Sequence, residues 1–222
     1  MAYILNIETS TTNCSVSLSY KGETLVLKED KSKSYSHSER LHVYIADALH
    51  EANINRQQLN AVAVSKGPGS YTGLRIGVSA AKGLCFALNI PLISISTLEV
   101  LAHQINEVDG YIVPMLDARR MEVYAAVFNS EKQCVRDVKA EIIDTFSFLD
   151  FLKKRKVYFI GNAVAKTKEL IVHKNAIFCE ALPSAAQMIT LAYSKYQENA
   201  FEDVAYFEPY YLKDFIAIKP KA

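Results

Sequence analysis

Apolar and polar residues alternate along 14–20 (CSVSLSY), the two-residue period of a strand that presents one face to a core. Short apolar runs at 3–7 and 61–65 (AVAVS) read as buried strands, and 24–27 follows the alternating run across Lys21 and Gly22 as the second arm of a hairpin. Helical spacing takes over after Ser36. Leu41, Ile45, Ala48, Leu49 and Ala52 share one face there, and Ser36 with Glu39 has the spacing of a capping box. A helix over 71–88, a strand over 92–95 and a helix over 97–108 complete the first half. From Tyr111 the order repeats: a strand at 111–116, a hairpin of 122–128 with 134–143, and a helix from 145 to about 154. A strand at 157–160, a helix over 163–172, a strand at 176–179 and a helix over 184–199 close the second half. Two successive runs of strand, strand, strand, helix, strand, helix, strand, helix predict a duplicated α/β fold divided into 1–108 and 109–222. Each half would carry a mixed sheet, and the last segment would pack back on the first half.

One stretch concentrates backbone freedom. Residues 64–78 (VSKGPGSYTGLRIGV) hold four of the eight glycines. A phosphate-cradling P-loop needs Gly-Lys-Ser/Thr at its end, whereas Gly73 precedes Leu74 and Arg75. A nucleophile elbow needs glycines two residues either side of the serine, whereas Pro68 and Thr72 flank Ser70. What remains is a glycine-bounded passage from strand to helix, either a tight turn alone or a row of N–H groups suited to an anion. The small residues Gly77, Ala80, Ala81 and Gly83 favour close helix packing, within the chain or across an interface. Arg75 offers a planar contact to a carboxylate or phosphate, or a structural ion pair.

Charge and composition narrow the partners. The 222 residues suffice for one or two domains, and half of them are hydrophobic. Lys+Arg 25 against Asp+Glu 24 gives +1, without the basic excess of a chain that holds nucleic acid by phosphates alone. Cys14, Cys85, Cys134 and Cys179 form no CxxC and read as buried, reduced thiols of a cytoplasmic protein. The N-terminal MAYILNIETS reads as a strand rather than a signal peptide, and no apolar run reaches the roughly 20 residues of a membrane span. His37 and His42, about 140 degrees apart around a helix, read as surface or capping residues rather than metal ligands. The polar stretch 28–38 reads as a solvated loop. Asp117, Arg119 and Arg120 sit just past a strand end, where they serve a site or pair among themselves.

The doubled order of elements is that of the actin, sugar kinase and Hsp70 fold, whose first hairpin turn carries a phosphate loop, here 8–12 (ETSTT). So placed, the stretches 4–18 (ILNIETSTTNCSVSL), 36–42 (SHSERLH) and 65–84 (SKGPGSYTGLRIGVSAAKGL) resemble the TsaB family, with 95–102 (ISTLEVLA) and 117–124 (DARRMEVY) in support. The C-terminal third resembles it in outline, through 209–213 (PYYLK). The resemblance implies a non-catalytic partner subunit in bacterial synthesis of threonylcarbamoyladenosine on tRNA. The catalytic relative TsaD transfers the threonylcarbamoyl group beside the anticodon, and the ATPase TsaE joins the assembly. This chain would meet TsaD through the helix carrying His37, Leu41 and Ile45 and the helix carrying Ala80 and Gly83. Without TsaD it would form a homodimer, and it would meet tRNA only indirectly. The loop of Gly67, Pro68, Gly69, Ser70, Thr72, Gly73 and Arg75 would face the partner or a nucleotide at the interface with TsaD. Glu8 stands where phosphotransferring members of the fold place an aspartate. Glu8, Thr9, Ser10 and Thr12 therefore form a degenerate phosphate loop, which would hydrogen-bond a phosphate or satisfy the hairpin backbone. TsaD's metal-binding H-x-x-x-H corresponds to 97–101 (TLEVL), which has no imidazole, so no cofactor, metal or catalytic residue is expected. An autonomous ATP-dependent phosphotransferase is the alternative reading; a metalloprotease lacks its histidine pair.

Overall fold

The computed structural model describes residues 2–30, 36–106 and 108–213. Part of the expected solvated loop, and Glu107 near the end of the expected third helix, lie outside them. The first half runs β1 (Tyr3–Glu8), β2 (Cys14–Tyr20), β3 (Glu23–Asp30), α1 (His37–Glu51), β4 (Ala61–Gly67), α2 (Tyr71–Leu88), β5 (Leu92–Ser96) and α3 (Thr97–Ala102). The second runs β6 (Gly110–Asp117), β7 (Glu122–Phe128), β8 (Cys134–Ile142), α4 (Leu149–Leu152), β9 (Lys156–Ile160), α5 (Val164–Lys168), β10 (Ala176–Cys179) and α6 (Ala185–Gln197). The sheets are ordered β3-β2-β1-β4-β5 and β8-β7-β6-β9-β10, the same topology twice, each with an antiparallel hairpin beside parallel strands. The duplicated α/β fold expected from the pattern is the observed one.

Two helices cross between the halves. α3 closes the first half in sequence, yet its Leu98, Leu101 and Ala102 pack with Ile112, Leu116 and Ile160 of the second sheet. α6 does the reverse, laying Ala185, Met188 and Ala192 on Ile4, Ala61, Ala63 and Ile93. Each half thus lends a whole helix to the sheet of the other. Burial of these apolar faces ties the halves together at about 25 cal/mol per Å² removed from water.

Several local expectations are corrected. The alternation in β2 predicts one solvated face, but Ser15, Ser17 and Ser19 are all buried, because α6 covers the serine side. Their hydroxyls have partners there: Ser17 Oγ donates to Ala185 O (2.8 Å), Ser19 Oγ donates to Ile4 O (3.2 Å), and Ser15 Oγ accepts from Ala185 N (3.0 Å). The capping box at Ser36 does not form. Ser36 Oγ donates to Asp30 Oδ2 (2.8 Å), which also pairs with Arg40, so the start of α1 is tied to the end of β3. α4 is four residues long because Phe148 takes a left-handed backbone (φ 61) and turns its ring edge-on to Phe159 in the core. α5 stops at Lys168, where Leu170 N donates back to Thr167 O in a tighter turn (3.1 Å). Cys14 and Cys85 are buried, with desolvation pushing their thiols up to about 11 and about 12. Cys134 and Cys179 are exposed instead, since β8 and β10 are the edges of the second sheet.

Candidate functional site

The C-terminal ends of β1 and β4 meet the turn 9–13 and the loop 67–70, the place where open α/β sheets hold ligands. In this chain the place is filled from within. Thr9, Ser10 and Thr11 are buried. Thr9 Oγ1 donates to Gly73 O (2.8 Å), Ser10 O accepts from Ser70 N (2.7 Å), and Ser10 N donates to Glu8 Oε1 (2.6 Å). Asn13 Nδ2 donates to Pro183 O (2.9 Å), bringing the start of α6 against the same turn. Thr9 and Ser10 therefore serve the chain's own backbone; Thr12 is half-buried beside them.

The glycines of the second loop follow from this contact. A Cβ at Gly69 would fall closer than 3.0 Å to Ser10 O, at Gly73 to Thr9 O, and at Gly77 to Thr9 Oγ1. Gly67 combines a left-handed backbone (φ 109) with the carbonyl of Tyr210, which a Cβ would meet at 2.8 Å. Loop 67–73 is thus a dock for the first hairpin turn. Ser70 caps α2 by accepting from Gly73 N (3.3 Å), which occupies one of the N–H groups that an anion would need.

Glu8 is the buried acid of the site, and desolvation raises its carboxyl above the usual carboxylate range against the opposing pull of the Ser10 N–H that its Oε1 accepts. Its Oε2 has no hydrogen-bond partner among the described residues. A carboxyl proton bound more tightly in the folded chain than in the unfolded one is linked to a stability that falls with pH. The contribution is whole below about 4.5 and is lost as pH rises to the raised value. Glu8→Gln should accordingly melt above wild type at neutral pH, with the difference vanishing toward pH 4. A pH-independent difference in melting temperature would show that the fold does not raise the Glu8 pKa.

A C-terminal strap closes over the same region. Glu202 N donates to Leu92 O (2.8 Å), Lys82 Nζ reaches the carbonyls of Ala205 (3.1 Å) and Phe207 (2.9 Å), and Tyr210 N donates to Lys66 O (2.7 Å). Tyr211 then packs on Tyr71 at 5.0 Å, and Lys213 pairs with Glu122 of the second half. Sequence reading caught only an outline of this strap in 209–213, because its hold is mainly through backbone carbonyls, which leave no side-chain signature. Arg75 is exposed, with its guanidinium 5.0 Å from the Tyr71 ring and donating to the Tyr71 hydroxyl (3.1 Å). Thr72 is exposed beside it, while Pro68 is buried.

The expected partner-facing residues separate into two sets. His37, Leu41 and Ile45 are buried, a correction to both the surface-histidine and the interface readings. Leu41 and Ile45 complete the core under α1, and His37 Nε2 lies 2.6 Å from the Thr11 carbonyl, with desolvation lowering its pKa. Gly83 is on the outer side of α2, where a Cβ would meet nothing within 4 Å, whereas Ala80 is half-buried against the core of the first half. Phe86, one turn on, is 84% exposed, and Val43 of α1 is 53% exposed. A groove of about 700 Å³ runs beside them, lined by His42, Leu49, His50, Ile54, Arg56 and Leu84 among others. Among the described residues no cluster of three His, Cys, Asp or Glu could hold a metal ion, and no helix is long and apolar enough to cross a membrane.

Comparison with known proteins agrees across most of the chain. A family model described as TsaD, tRNA N6-adenosine threonylcarbamoyltransferase, matches residues 31–221. The tRNA threonylcarbamoyladenosine biosynthesis protein TsaB of Bacillus subtilis is 34% identical over 174 residues, 76% of this chain and 74% of that one. TsaB of Haemophilus influenzae is 28% identical over 229 residues, 97% of this chain and 95% of its own. The solved structure of YeaZ from Pseudomonas aeruginosa superposes with a TM-score of 0.84 at 24% identity, over 96% of this chain and 100% of that one, which shows a shared fold.

Proposed function

Since the chain belongs to the TsaB family of tRNA threonylcarbamoyladenosine biosynthesis proteins, related to TsaD by the same family model, we propose that it is a subunit without an active site of its own that supports TsaD. The observation that carries this reading is the outer face of α2. Gly83 stands there in open space beside an exposed Phe86, although glycine within a helix costs about 1 kcal/mol relative to alanine. Nothing among the described residues uses that economy of side chain; a second helix packed closely against it would. TsaD fits as the occupant, with a second copy of this chain taking the same face when TsaD is absent.

The filled first turn supports the non-catalytic part. A nucleotide phosphate at 8–12 would have to displace the contacts of Thr9 with Gly73 and of Asn13 with Pro183. A nucleotide is better placed at the seam with TsaD, near the exposed Thr72 and Arg75. TsaE joins the assembly, tRNA is held chiefly by TsaD, and the work takes place in the cytoplasm. Titration of this chain with the TsaD of the same organism tests the pairing. Arg75→Ala should leave the melting temperature unchanged and weaken TsaD binding roughly thirtyfold, the usual effect of losing a charge-assisted contact from a desolvated interface. Undiminished affinity would move Arg75 out of the seam. Turnover of ATP by the free chain would replace the whole reading with a phosphotransferase.

A further inference from the structure

The hairpin tip joining β6 to β7 presents two adjacent arginines that have no acid as partner among the described residues. Asp117 Oδ1 is taken by Lys166 Nζ (2.5 Å) and by the Arg119 N–H (2.9 Å). Glu122 is taken by Lys213. Lys166 Nζ also donates to the carbonyls of Arg120 (2.9 Å) and Glu122 (2.6 Å), knotting the tip to α5. Both carboxylates of the tip are therefore neutralised by lysines. Arg119 and Arg120 are exposed, and among the described residues neither guanidinium has an ion pair. The local balance of four cations on two carboxylates is positive within a chain whose overall charge is only +1.

The backbone supplies an independent observation. Arg119 and Arg120 both take left-handed conformations, φ 71 and φ 51, where glycine or asparagine is usual. A side-chain-bearing residue holds such a conformation only where its surroundings over-determine it, and such residues cluster at functional positions. Here Lys166 and the Asp117 turn supply the constraint, holding two like charges next to each other on the surface. Arginine is the side chain suited to phosphate, through its planar, weakly hydrated fork of donors.

We propose that the Arg119–Arg120 tip is a direct contact for backbone phosphates of the tRNA, made by this chain in addition to whatever TsaD holds. The inference rests on the family's action on tRNA and not on the pairing with TsaD. A single chain of phosphodiesters offers neighbouring charges to neighbouring guanidiniums, and such contacts position an RNA without reading its bases. Free nucleotide offers the same phosphate chemistry, so the test separates the two sources.

The experiment follows fluorescence anisotropy of a labelled tRNA anticodon stem-loop titrated with the full chain at several salt concentrations. R119Q/R120Q should bind at least tenfold more weakly and lose about 1.4 to 1.8 from the slope of log affinity against log salt, the share of two phosphates. R119G/R120G should lose the same affinity while melting at or above wild type, because glycine accepts both backbone angles, so the loss cannot come from unfolding. Wild-type affinity and slope in both variants would overturn the proposal. Displacement of the RNA by ATP at equal phosphate concentration would make the tip a nucleotide site, and displacement by polyglutamate would make it a protein-docking site; either overturns the assignment to RNA. TsaD titrated separately should bind the variants as it binds wild type, and failure of TsaD to bind wild type would count against the pairing alone.

Discussion

Gly73→Ala should cost the fold about 3 kcal/mol or more, the upper range for forcing a methyl group into a packed interior. Its Cβ would fall closer than 3.0 Å to the carbonyl oxygen of Thr9, which is backbone and cannot swing away. Retreat of either segment is opposed by bonds on the spot: Thr9 Oγ1 to Gly73 O, and Ser70 N to Ser10 O. For a chain of this length the loss corresponds to about 6 to 12 °C in melting temperature. Gly69→Ala faces the Ser10 carbonyl in the same way. Gly83→Ala supplies the control, since it meets open space and should raise the melting temperature by a few degrees through helix propensity. If Gly73→Ala and wild type melt together by calorimetry, the two loops part easily, and the site is more open than its contacts suggest.

Gly83→Arg is expected to leave the free chain folded and to weaken TsaD binding by about 3 kcal/mol, more than a hundredfold. The argument is geometric: the position has room in the free chain, and only a partner helix packed on α2 would lose that room. Phe86→Ala should act in the same direction by removing the large exposed ring beside it, with a loss of about 2 kcal/mol if the ring anchors the interface. Titration calorimetry against TsaD, with melting curves of the free chain, reads both. Light scattering adds a second test, because the homodimer expected without TsaD should dissociate in Gly83→Arg. Wild-type affinity for TsaD in both variants would place the interface elsewhere and remove the reason offered for an unpartnered glycine.

The sequence by itself determined the order of elements, their duplication and the family. Two-residue and 3.6-residue periods register local backbone geometry, so β2, α1, α2 and α6 were legible from 14–20, 36–52, 71–88 and 184–199. Candidate chemistry was legible as residue types: Glu8 in a degenerate loop, four clustered glycines, and Asp117 with two arginines. Only the tertiary structure decided what each of these faces. The serines of β2 read only as the polar half of an alternating strand because their partner in burial is Ala185, some 170 positions away, and a hydroxyl pattern does not encode whether a distant carbonyl will arrive. The glycines read equally as a turn or as an anion cradle, and the carbonyls of Thr9 and Ser10 decided for a docked turn. Leu41 and Ile45 read as interface because an apolar helical stripe is the same whether it meets its own sheet or another chain, and burial against β2 and β3 settled the direction. Asp117, Arg119 and Arg120 read equally as site residues or as pairs among themselves, and in the fold the Asp117 carboxylate goes to Lys166. A linear pattern fixes which side chains share a face, because that depends on the few dihedrals between them. What covers the face is set by contacts between distant segments, and these exist only once the chain has closed.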